Sequence, residues 1–221
     1  MGLGVTTPLP GFADASPTFA QPFDMLLACH ARTRRSLHLL DRLRKRIDQH
    51  GHDAHTREAA GDVLRYFRKA APLHHEDEER HVFPALHDST DSELNLAVDG
   101  LQADHARLEA LWRAIEPVLR DWAGEPPQAP VEPVTHTRIA EFAQRYFTHM
   151  ALEEVAIFPT ALAHMNEQSL SAMSADMERR RVGPAAEIIK GARRAATGPN
   201  SSETPAMRTS RRGYLRRRRV L

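Results

Sequence analysis

Two segments of the chain carry the same chemically able residues at one fixed offset. Ala28-Cys29-His30-Ala31-Arg32 recurs 75 positions later as Ala103-Asp104-His105-Ala106-Arg107. The same shift takes His74 onto His149, Glu78 onto Glu153, Glu79 onto Glu154, Phe83 onto Phe158 and Pro84 onto Pro159. Each half thus supplies one isolated histidine and, 44 residues on, a His-x-x-x-Glu pair followed by Phe-Pro. Residues four apart on a helix share a face, so His74 with Glu78, and His149 with Glu153, can address a common ion. Four imidazoles and two carboxylates suit a pair of metal ions about 3.5–4 Å apart. The glutamates would bridge, two histidines would cap each ion, and oxo, hydroxo or water would complete the set. Mixed imidazole and carboxylate ligation favours iron, with manganese as the alternative, and leaves thiolate-seeking metals nothing to hold.

The repeat also decides between overlapping pairs. His75 and Glu79 have the same spacing as His74 and Glu78, but His75 falls on Met150 under the shift while His74 falls on His149. The ligand set is therefore read as His30, His74, Glu78, His105, His149 and Glu153. His75 and Glu79 are left to face a neighbour or solvent, or to support the ligands from behind. A single His-x-x-x-Glu on a helix is commonplace; two of them and two lone histidines in register at one shift are not. Tyr146, three residues before His149, is a candidate hydrogen-bond donor near the centre. Glu109, one turn after His105, could add a carboxylate or relay a proton. His81 and His164, near helix ends, are candidates for lining an entrance.

Positioning these groups requires long helices. The first is predicted from about Pro22, a favoured first-turn residue, to Gln49, with Phe23, Leu26, Leu27, Leu37, Leu40, Leu43 and Ile47 on the face that includes His30. Gly51-His52-Asp53 reads as a turn. A second helix is predicted over 55–87, kinked or broken by Pro72, which has no amide to return to Arg68. Thr90 followed by Glu93 reads as a capping box opening the third helix. Its stripe runs Leu94, Val98, Leu101, His105, Leu108, Trp112, Ile115, Leu119. Pro126, Pro127, Pro130 and Pro133 mark a loop over 121–134. A fourth helix is predicted over 135–165, and a short outer helix over about 168–182. The expected fold is all-α, an antiparallel up-down-up-down four-helix bundle with a short extra C-terminal helix and disordered tails. Its parts are a flexible segment 1–19, the bundle 20–166, an accessory helix 167–195 and an Arg-rich tail 196–221.

Bulk properties narrow the function class. The chain has 221 residues, 41% hydrophobic and 27% charged, with net charge +1, which fits one globular domain and excludes a general polyanion binder. No stretch approaches the roughly 18 apolar residues of a membrane span. Met1 to Phe19 lacks a basic leader and an apolar run. Cys29 is the only cysteine and fits a reducing compartment. A cytoplasmic location is expected. The arginines at 208, 211, 212 and 216–219 read as a solvated end rather than a nucleic-acid site, having little aromatic interleaving. No Gly-rich phosphate loop, nucleophile elbow or cysteine pair is present, so the chemistry must come from the bundle interior.

The segments Pro22–Leu27 through His30, His74-His75-Glu76-Asp77-Glu78-Glu79 through Phe83-Pro84, and His149 through Phe158-Pro159 resemble the hemerythrin-like, HHE cation-binding family over residues 20–165. The resemblance implies a non-haem di-iron centre on the six residues named above. At Glu109 the oxygen-carrying members have a second histidine, so the chain is more similar to the four-histidine, two-glutamate members linked to iron-centre repair and to nitrosative or oxidative stress. The expected function is binding or reducing dioxygen, nitric oxide or peroxide at a carboxylate-bridged pair of irons. A non-catalytic iron or redox sensor is the competing expectation. A metal-free interaction bundle fits worst, because it leaves six ionisable side chains inside without partners.

Overall fold

The computed structural model of the protein describes residues 18–87, 90–124 and 132–196, with side chains through Val182. The expectations for the two tails fall largely on residues 1–17 and 197–221, outside the described residues. Every described element is helical. They are α1 (Pro22–His50), α2 (Ala54–Asp77), α3 (Ser92–Ala123), α4 (Pro133–Leu152), α5 (Phe158–His164) and α6 (Glu167–Ala196), with π-helical turns at Glu78–Val82 and Glu153–Ile157 and a 3₁₀ turn at Pro84–Leu86. The contacts divide the chain into two units, Met1–Val182 and Gly183–Leu221. The first carries all the packing described below; of the second, the backbone to Ala196 continues α6.

Local chemistry explains where these helices begin and end. Gly51 closes α1 at φ 73°, a conformation glycine adopts without strain, and returns its amide to Ile47. Asp53 then opens α2: its carboxylate accepts from the Thr56 amide while the Thr56 hydroxyl accepts from the Asp53 amide, each at 2.8 Å. This reciprocal cap lies where the sequence suggested only a turn. For α3 the expected cap is displaced by one residue. Asp91, not Thr90, takes the amides of Glu93 and Leu94 at 2.9 and 3.2 Å, as the stronger capping preference of Asp over Thr favours. The outer helix α6 covers Glu167–Ala196, the span given to the accessory helix at 167–195 and longer than the short helix read over about 168–182.

Pro72 does not break α2, which continues to Asp77. Pro72 is exposed, so the carbonyl it leaves without a partner lies on the face open to water, while Phe67 and Ala71 anchor the buried face. The regular helix ends instead at Glu78. There the Phe83 amide reaches back five residues to the Glu78 carbonyl at 2.9 Å, and Pro84 follows with no amide to give. The second half repeats the device, with the Phe158 amide bonded to the Glu153 carbonyl and Pro159 after it. The segments 55–87 and 135–165, expected as single helices, are each divided at a glutamate.

α1 packs on α2 and α4, α2 on α3, and α3 on α4. Their interior holds two apolar clusters. One contains Leu37, Leu40, Phe67, Leu108, Ile115, Trp122, Phe142 and Tyr146. The other contains Phe23, Leu26, Val82, Phe83, Leu101, Ile157 and Phe158, and takes Met173 and Met177 from α6. Fully burying each large apolar side chain is worth about 1.5–3 kcal/mol. Along α1 and α3, and along α2 and α4 with the π-helical turns that follow them, the predicted ligands lie where the chain passes from one cluster to the other. Leu27, expected on the inner face of α1, is exposed, one position round the helix from the buried Leu26. α6 is also held by charge: Arg180 and Arg181 both bond the buried Asp77, next to Glu78.

Candidate metal centre

The six predicted residues converge between the two clusters. His30, Glu78 and Glu153 are fully buried, and His74, His105 and His149 nearly so. Their ligand atoms form two sets of four, His30-His74-Glu78-Glu153 and Glu78-His105-His149-Glu153, each with atoms within 4.8 Å of one another. Glu78 and Glu153 belong to both sets. Glu78 Oε1 lies 3.0 Å from His74 Nε2, and Oε2 lies 3.4 Å from His105 Nε2. Glu153 Oε1 lies 3.0 Å from His149 Nε2, and Oε2 lies 3.2 Å from His30 Nε2. Each carboxylate therefore spans the two sets, one oxygen toward each. The π-helical turns start at these two residues; such turns inside helices are frequent at functional sites.

A metal-binding reading can be tested on the buried atoms themselves. All four oxygens of Glu78 and Glu153, with His30 Nε2 and His74 Nε2, are buried, and their mutual contacts lack hydrogen-bond geometry. A buried polar group left without partners costs about 1–3 kcal/mol, more when charged. Six such atoms facing one another suit a cation, and their imidazole and carboxylate chemistry suits iron or manganese. Glu78 and His74 favour each other's charged forms. Burial pushes the Glu78 carboxyl up, but His74 and His105 outweigh it and hold the group well below the usual range. Burial likewise lowers His74, while Glu78 and the neighbouring Cys29 raise it further, well above its ordinary value.

Carboxylates stand behind the histidines. Glu154 accepts from His30 Nδ1 at 2.7 Å and is fixed in turn by Arg34 at 2.8 Å. Glu79 pairs with His105 Nδ1 at 2.7 Å. These two are repeat mates, and they hold the two lone histidines in the same way. Asp104, bonded by Arg145, lies 3.9 Å from His149 Nδ1. Its repeat mate is Cys29, which is buried next to His74; burial raises the thiol, yet His74 outweighs this and keeps it below its ordinary value. Such outer partners fix ring orientation and raise ligand basicity.

The remaining sequence candidates divide. His75 does not face solvent: its ring stacks on His105 at 4.0 Å and on Tyr146 at 5.8 Å, and a ring nitrogen groups with those of His105 and His149. Tyr146 is buried in that stack. Glu109 is exposed on α3 and belongs to none of the ligand groups. The entrance role suggested for His81 and His164 is not where the structure puts them. His81 pairs with Asp176 of α6 at 3.0 Å, and His164 bonds the Thr160 carbonyl at 2.8 Å. Arg34, Asp104 and Arg145 were missed by the sequence reading, because nothing in their spacing distinguishes a charge behind a ligand from one in water.

The model of the hemerythrin HHE cation-binding domain matches residues 21–161, the span that includes all six buried ligand candidates. The chain belongs to the hemerythrin HHE cation-binding family. Family membership implies metal binding, and the His and Glu groups are where this member can do it. The chain is also similar to an uncharacterized protein of Haemophilus influenzae, 31% identical over 164 residues, which cover 74% of this chain and 92% of that one. Among the described residues no helix is long and apolar enough to cross a membrane.

Proposed function

We propose that this hemerythrin-family chain holds two iron ions on His30, His74, Glu78, His105, His149 and Glu153, and binds or reduces a small ligand such as dioxygen, nitric oxide or peroxide. The observation that carries the reading is the sharing of Glu78 and Glu153, whose four carboxylate oxygens are buried without a hydrogen bond, between two sets of buried donors. The order of the apolar clusters supports an antiparallel frame. The chain meets the Phe23 cluster before its ligand on α1 and α3, and after it on α2 and α4, which is the order an up-down-up-down bundle gives.

When bound, the irons, bridged by oxo or hydroxo, would supply the redox chemistry, with manganese as the alternative metal. The protein's part follows from its own residues. Glu78 and Glu153 would be shared by the two ions, one of which His30 and His74 would hold and the other His105 and His149. Glu154 and Glu79 keep the lone histidines in the tautomer that presents Nε2 inward. The two apolar clusters flank the six residues on either side and keep bulk water from them there.

The test is iron per chain, measured with the near-ultraviolet spectrum of the same aerobic sample. About two irons with oxo-bridge absorption support the reading; no metal after anaerobic ferrous reconstitution overturns it. A sensor is the second reading, favoured by the bonding of α6 to Asp77, one residue before Glu78. Under that reading, metal loading changes hydrogen exchange in Glu167–Val182 and no turnover accompanies it.

A further inference from the structure

The 75-residue repeat is broken where it bears most on access. His75 has Met150 as its mate, and the two residues differ in placement as well as type. Met150 is buried in the apolar cluster around Phe142 and Trp122. His75 instead stacks on His105, with its Nε2 buried and without a hydrogen bond, and shares a three-histidine group with His105 and His149. The His105/His149 end of the centre thus has an extra imidazole. A phenylalanine flanks each end alike, Phe158 against His30 at 5.2 Å and Phe83 against His105 at 5.6 Å, so His75 is what distinguishes the two.

His75 and His105 also form part of the wall of a cavity of 330 Å³ between α2 and α3. Its inner wall is apolar, with Phe67, Ala71, Leu108, Phe142 and Tyr146 buried around it. Its outer wall carries Glu76, Glu79 and Glu109, the last two exposed, and no Lys or Arg is among the described residues lining it. Glu76 is paired with Arg80 and Arg180, but Glu79 and Glu109 oppose the approach of an anion, while the apolar inner wall offers a small uncharged molecule a favourable path out of water. Pockets that accept ligands commonly have this composition, an apolar lining with a few convergent polar groups.

We propose that small uncharged molecules enter the centre through this cavity and meet it at the His105/His149 end, where the unpartnered Nε2 of His75 is the hydrogen-bonding group that receives them. The inference rests on the metal-centre reading and assigns it a direction. The two metal positions are inequivalent, and the ligand reaches one of them. His75 is a positioning and ligand-contacting side chain, and Ala106, exposed on α3 at the cavity wall, marks the way in.

The experiment is stopped-flow binding of nitric oxide, with azide as the anionic comparison, to anaerobic ferrous protein. Ala106→Trp should slow nitric oxide association at least tenfold, with iron content and melting temperature unchanged. His75→Met, which restores the repeat, should keep both irons and release the ligand about tenfold faster. Azide should bind the wild type far more slowly than nitric oxide does. A second plug, Gln102→Trp, covers the case in which Ala106→Trp fails to fold. The proposal is overturned if neither plug slows association in protein that carries its iron. An iron-free readout is xenon, which should occupy the apolar wall of the metal-free wild-type protein and leave when Ala71→Leu fills it; no xenon there overturns the proposal too. Wild type that loads two irons but binds no nitric oxide counts instead against the small-ligand reading.

Discussion

At the scale of single residues, position in the site separates chemically identical side chains. Glu153 and Glu154 are adjacent carboxylates, yet Glu153 is fully buried between two sets of histidines while Glu154 sits behind His30 with Arg34. Glu153→Ala is expected to reduce iron from about two per chain to less than one. Glu154→Ala is expected to keep the stoichiometry and weaken affinity by about 10–100-fold, as loss of an outer partner does. Elemental analysis and competition with a chelator separate the two. Equal losses from both variants would show that Glu154 ligates directly. The six inward residues were legible in sequence because a repeat puts four of them in two matched pairs. Asp104 and Arg145 were not legible, since their role depends on α3 and α4 lying side by side.

At the scale of elements, the lesson concerns prolines. Beyond the first turns, four prolines fall within predicted helices, Pro72, Pro84, Pro117 and Pro159, and their consequences differ for a physical reason: Pro117, like Pro72, is exposed, and α3 runs through it. Pro72 sits on an exposed face and α2 passes through it. Pro84 and Pro159 follow a phenylalanine whose amide already reaches back five residues to the ligand glutamate, and there the regular helix gives way. Sequence reading marked Phe-Pro as an anchor for the register without seeing that it marks a change of helix type. The caps show a smaller miss: Thr90 and Asp91 both qualify by type, and the Asp91 carboxylate, the stronger capping group, takes the amides.

The docking of α6 on α2 gives a sharper energetic test. Asp77 is fully buried and bonded by Arg180 and Arg181. Removing one side of a buried charge network costs about 3–5 kcal/mol, because the partners are left uncompensated. Asp77→Ala should lose about that much in urea unfolding. Asp62→Ala, which removes an exposed pair with Arg65, should lose no more than about 1 kcal/mol. Similar losses would mean that α6 contributes nothing to stability through Asp77.

At the scale of the whole molecule, acid and chelation are the informative perturbations. Burial raises Asp176, but His81 and Arg180 outweigh it and hold its carboxyl at about 2, below the ordinary value of 3.8. Because the folded value is the lower one, this contribution is fully present above pH 4 and disappears as pH falls toward 2. Wild type should therefore exceed Asp176→Asn in urea midpoint at pH 5, and the difference should shrink between pH 4 and 2. A gap that persists at pH 2 would assign it to packing instead. Metal removal acts through linkage: an ion bound only by the folded chain stabilises it by about 2.7 kcal/mol at one hundred times its dissociation constant. Excess chelator should lower the melting temperature of iron-loaded protein, and identical melting with and without iron would contradict a centre that spans the bundle.

The shared glutamates have one more consequence, and it concerns autonomy. A fragment ending near Leu86 would own His30, His74 and Glu78, three donors of one set and a single donor of the other. The remainder would own His105, His149 and Glu153 in mirror proportion. Despite the duplication, neither fragment is a smaller copy of the whole, because each set borrows its fourth donor across the divide. The capacity to hold metal is thus a property of the seam between the halves, and two severed fragments should recover it only by finding each other.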